Sequence, residues 1–70
     1  MLKNIKVTVN KENYQAVMKV IEKYAKGLIN VVSRNTFNEI EFSCSLLNGF
    51  VCKQKLETAK ELGMILTIEA

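Results

Sequence analysis

Histidine, proline and tryptophan are absent from this 70-residue chain, and glycine occurs only three times. Without histidine there is no side chain whose ordinary pKa lies near neutrality and no imidazole to hold a metal. Cys44 and Cys52 stand eight positions apart rather than in a C-x-x-C pair, so neither a zinc nor a copper site within one chain is expected. Gly27, Gly49 and Gly63 are isolated from one another, which excludes a phosphate-cradling loop and a dinucleotide fingerprint. No apolar run approaches the roughly 18 residues that a membrane span needs. The opening MLKNIKV also lacks the apolar centre of a secretory leader. The expectation is a cytoplasmic, non-enzymatic protein with no cofactor, no metal and no membrane association.

What is present suits a small globule. Hydrophobic residues make up 49% and charged residues 24%, which sets the chain apart from disordered sequences. Its length allows one domain, residues 1–70, burying only about 60% of the surface exposed when unfolded. The net charge of +3 comes from lysines spread along the chain, the longest cluster being Lys53-Gln54-Lys55. Such spreading reads as a solvated surface rather than a polyanion site.

The pattern of apolar residues then sets the elements. Leu2 to Val9 alternates, with Ile5, Val7 and Val9 on one side, as a half-buried strand does. From Asn10 to Gly27 the period changes. At about 100° per residue, Tyr14, Val17, Met18, Ile21, Tyr24 and Ala25 share one arc of a helix. Asn10 is its expected N-cap and Gly27 its expected stop. Leu28 to Ser33 is rich in β-branched residues and too short for another helix, so it reads as a second strand. The polar stretch Ser33 to Asn38 closes a hairpin onto Glu39 to Ser45, where Ile40, Phe42 and Cys44 point inward. Asn48-Gly49 is read as a break before a second helix from about Phe50 to Leu62, whose apolar arc holds Val51, Cys52, Leu56, Ala59 and Leu62. Gly63 ends that helix, and Met64 to Glu69 forms a last strand with Met64, Leu66 and Ile68 opposed to Ile65 and Thr67.

Two helices with one apolar arc each belong on the same face of a sheet. Right-handed crossovers and a central hairpin then give an α+β fold, the ferredoxin-like two-layer sandwich βαββαβ. Its four-stranded sheet is antiparallel, with the second and fourth strands at the edges.

Catalytic chemistry finds little footing. Cys52 is expected near the start of the second helix beside Lys53, where a thiolate is stabilised, but it faces the core and has no base to activate it, so it reads as a small buried hydrophobe. Glu39 and Glu41 lie two apart on one strand face without a cleft or an acidic partner, and read as a solvated strand face.

Apolar residues on both faces of the second and fourth strands point to a covering partner. The residues in question are Leu28, Val32 and Ile65, with Thr67 beside them, and the simplest cover is a second copy of the chain. The leading functional reading is therefore a protein-binding or self-assembling module acting through its open sheet face or an edge strand. A nucleic-acid binder is the first alternative, using Lys6 on the sheet with Arg34 and Phe37 in the hairpin loop. A small-ligand-sensing regulatory module is the second.

Overall fold

The computed structural model describes residues 2–70. The elements follow the expected order: β1 (Leu2–Asn10), α1 (Tyr14–Tyr24), β2 (Lys26–Ser33), β3 (Phe37–Ser45), α2 (Leu46–Glu61) and β4 (Ile65–Glu69). The sheet is antiparallel in the order β2-β3-β1-β4. Both helices lie on one face of it. The fold is ferredoxin-like, with β2 and β4 at the edges.

Strand alternation builds one half of the core. Ile5, Val7 and Val9 of β1 face the helices together with Ile40, Phe42 and Cys44 of β3, all of them buried. In register, Ile5 sits opposite Phe42 and Val7 opposite Ile40. The helices supply the other half at a spacing of four, with Val17 and Ile21 from α1, and Cys52 and Leu56 from α2. Tyr14, Met18, Tyr24 and Ala25 pack around this centre, so the arc expected for the first helix is the one buried.

The helix ends differ from expectation. Asn10 completes β1 and makes no side-chain cap bond, and a single 3-10 turn, Lys11–Asn13, intervenes before α1. At the far end α1 stops at Tyr24, where the extended Ala25 donates its N–H to Ile21. Lys26 is drawn into pairing with Ser43 of β3. Gly27 keeps a positive φ of 81°, but spends it inside β2. Between the pairs Lys26–Ser43 and Asn30–Glu41, β2 runs four positions against two on β3. This bulge throws Leu28 outward, and glycine tolerates the left-handed backbone that it needs.

Leu46 to Gly49 is helix rather than a break. Ser45 is the N-cap, its Oγ accepting from the Asn48 N–H at 3.2 Å. Gly49 is buried in the first turn, where an added Cβ would stand 3.2 Å from Cys44 Sγ and 3.4 Å from Lys3 Cδ. Its lack of a side chain lets α2 lie close on β1 and β3. The face that α2 buries is Gly49, Cys52 and Leu56, with Ala59 packed against it, while Val51 and Leu62 of the expected arc are exposed. Gly63 ends α2 as expected. With φ of 83° it donates to Lys60, while Met64 donates to Ala59, the paired bonds of a Schellman motif.

The last strand holds the main correction. Opposite β1, Thr8 pairs with Thr67 but Val9 pairs with Ile65, so β4 carries one extra residue there. Simple alternation puts Ile65 and Ile68 on opposite faces; the bulge puts both on the helix side. Ile65 is consequently 3% exposed and leaves the set of residues expected to need an outside cover.

Candidate functional site

The open sheet face is polar across its centre. One row runs Asn30, Glu41, Lys6, Glu69 from β2 to β4, and the next runs Val32, Glu39, Thr8, Thr67. Asn4 donates to Glu41 at 2.8 Å and accepts from Ser43 at 3.3 Å. Val32, 46% exposed, is the apolar member of the two rows. Thr67 is exposed among polar neighbours. Exposed aliphatic side chains on this face stand at its margins, Val32 on β2 and Leu2 at the start of β1 in line with Asn4 and Lys6.

Lys6, Arg34 and Phe37 do not converge. Lys6 stands between Glu41 and Glu69 in register. Arg34 Nη2 pairs with Glu39 Oε1 at 3.2 Å. Phe37 is half-buried at the start of β3, opposite Asn10, rather than at the loop tip. The carboxylates of Glu39, Glu41 and Glu69 surround the lysine that a phosphate backbone would have to reach.

β2 is a different surface. Seven of its eight residues are exposed, Ile29 being half-buried. Leu28 is 87% exposed at the bulge, and Val31 and Val32 follow it along the strand. As an edge strand it offers unpaired N–H and C=O groups on its outer side. Lys26 is its one charged residue. The opposite edge, β4, is only five residues long and ends in Glu69, features that discourage edge pairing.

Two features escaped the sequence reading. Lys11 Nζ donates to Ser33 Oγ at 2.6 Å and to Asn38 Oδ1 at 3.1 Å, tying the turn after β1 to the hairpin. Asn38 is the buried polar side chain of the described residues, and this bond satisfies it. The contact joins positions 22 and 27 apart in sequence, so no local pattern announces it. The second is an outer apolar patch on α2, made by Leu46, Leu47 and Phe50. The run LLNGFV held the signal, but reading Asn48-Gly49 as a break hid it.

The cysteines are free and buried. Cys52 lies in the second turn of α2, not the first, and burial next to Cys44 pushes its pKa up to about 11 from 9.0. Burial also raises the Cys44 thiol, against the pull of Lys3, and its Sγ donates to the Lys3 carbonyl at 3.8 Å. A raised folded-state pKa means that the thiols contribute stability fully below the ordinary value, and that this is lost as pH rises from 9 to about 11. Denaturant midpoints should fall over that window. Cys52→Ala should make the fall shallower, and an identical slope in the variant would show that Cys52 is not its source.

No family model matches the chain, and no curated protein matches it. A solved structure does: the ACT domain from GTP pyrophosphokinase of Chlorobium tepidum, determined by solution NMR. The TM-score is 0.71 at 12% sequence identity, covering 99% of this chain and 83% of that one. What the two share is the fold. None of the helices among the described residues is long and apolar enough to cross a membrane.

Proposed function

We propose that this chain is a small, non-enzymatic, cytoplasmic module that self-assembles by pairing its β2 edge with β2 of a second copy. The observation that carries this reading is the contrast between the two sheet edges. Both edges carry a bulge, but β4 is short and acid-ended, whereas β2 runs eight residues, regular from Asn30 to Ser33, with Leu28, Val31 and Val32 exposed. Strand addition supplies main-chain hydrogen bonds along the edge, and the aliphatic side chains supply apolar burial. Free thiols at Cys44 and Cys52 agree with a reducing compartment.

Sedimentation of the wild type and of L28K/V32K at micromolar concentration tests the contact. Edge lysines oppose strand pairing, and both positions are exposed, so the variant should melt within a few degrees of the wild type while losing self-association. A wild type that stays monomeric, or a variant that associates as before, would remove β2 as the interface.

The likeness to an ACT domain favours a second reading, a ligand-sensing regulatory module. It predicts a rise in melting temperature with one member of a panel of small metabolites. A flat panel would leave the assembly reading alone.

A further inference from the structure

In β1 every second residue turns toward the helices, and three of that row, Ile5, Val7 and Val9, are buried aliphatics. Lys3 heads the same row. It is half-buried opposite Cys44, and among the described residues it is the charged side chain of the inner strand rows. Gly49 makes room for it, because a Cβ there would stand 3.4 Å from Lys3 Cδ and 3.6 Å from Lys3 Cβ. The lysine stem thus passes beneath the first turn of α2, and its ammonium reaches the surface beside the helix.

That exit opens into a cleft of about 320 Å³, lined by Lys3, Phe50, Lys53, Gln54 and Glu57. β1 pairs with β3 from Leu2 onward but with β4 only from Lys6 to Val9, so the strand at Lys3 has no neighbour on its β4 side. At about 100° per residue, Phe50, Lys53 and Glu57 share one flank of α2. The Phe50 side is 66% exposed, and Lys53 is half-buried. The chain has no carboxylate from Phe42 to Leu56. Among the described residues neither Lys3 nor Lys53 lies within ion-pair distance of one. The cleft therefore joins two uncompensated positive charges to an exposed ring, with Gln54 and Glu57 following along the helix.

We infer that this cleft binds a small aromatic phosphate monoester. A phosphate monoester carries nearly two negative charges at neutral pH, which the ammoniums of Lys3 and Lys53 match, each of them a donor with no acceptor of its own. The ring of the ligand packs on Phe50 in offset or edge contact. Gln54 and Glu57 accept from polar groups on the ring, and the Glu57 carboxylate repels the phosphate, so the ligand enters in one orientation. The volume stands at the small end of the roughly 300 to 1,000 Å³ of ligand sites, enough for a ring and its phosphate. Because the cleft is open to water its charges are screened, and the dissociation constant is on the order of millimolar. The site is built from β1 and α2, so it does not require assembly through β2. It deepens the ligand-sensing reading by giving it a place and a class of ligand.

The test is a titration of the whole chain with phenyl phosphate and, separately, with inorganic phosphate, followed in proton–nitrogen correlation spectra. The amide signals of Lys3, Gly49, Phe50 and Lys53 should move together along one saturating curve, and phenyl phosphate should bind roughly tenfold more tightly than inorganic phosphate. F50A should bring phenyl phosphate down to the level of inorganic phosphate, and K3Q/K53Q should weaken both by roughly tenfold. K19Q/K55Q, which removes the same charge from exposed positions, should bind as the wild type does. Melting temperatures serve as the folding control. Shifts that spread over the other lysines without saturating would overturn the inference, as would phenyl phosphate binding no better than inorganic phosphate, or equal losses in K3Q/K53Q and K19Q/K55Q. A different metabolite that raises the melting temperature while these four amides stay still would keep the ligand-sensing reading and overturn this site.

Discussion

Phe42→Ala is expected to unfold the protein at room temperature rather than merely weaken it. Phe42 is the largest fully buried side chain, placed on β3 opposite Ile5. Removing a buried phenylalanine costs roughly 3 to 5 kcal/mol, the lost transfer free energy plus the cavity. A chain of this size holds a net stability of only about the same magnitude. The variant should lose amide dispersion in a proton–nitrogen correlation spectrum and show no cooperative melt. A melt within a few degrees of the wild type would mean that the core is not centred on this ring.

The second large effect separates two residues that look alike in the sequence. Ile65→Ala should lower stability by roughly 2 to 5 kcal/mol, as truncation of a buried isoleucine does, whereas Val32→Ala should change it by no more than about 0.5 kcal/mol. Both are β-branched residues in edge strands. The bulge opposite Val9 turns Ile65 under the helices, and nothing turns Val32. Urea denaturation of the two variants decides the matter. Equal midpoints would put Ile65 back on the open face and undo the register described for β4.

That pair also shows where local pattern ceases to inform. Period-two alternation placed Ile5, Val7, Val9, Ile40, Phe42 and Cys44 correctly because β1 and β3 pair with each other without interruption over nine positions. β2 and β4 each pair on one side only and each carry an irregular register, so counting by twos fails there. The glycines divide in the same way. Gly63 acts through its own backbone and closes α2 as expected, but Gly49 acts through the space it leaves for Cys44 and Lys3, residues of other strands. Read as a breaker, it hid the first turn of α2 and the apolar patch that the turn presents. Of the residues expected at an interface, Leu28 and Val32 are exposed and Thr67 lies on the open face, while Ile65 is interior.

By itself, the sequence determined the number and kind of elements, their order and the face that each central element buries, because these depend on residues a few positions apart. Tertiary structure alone decided which way Leu28 and Ile65 point and which sheet edge stands unprotected. Those follow from how a strand without a neighbour on one side adjusts its register to cover a shared core, and that adjustment is made between segments, not within them.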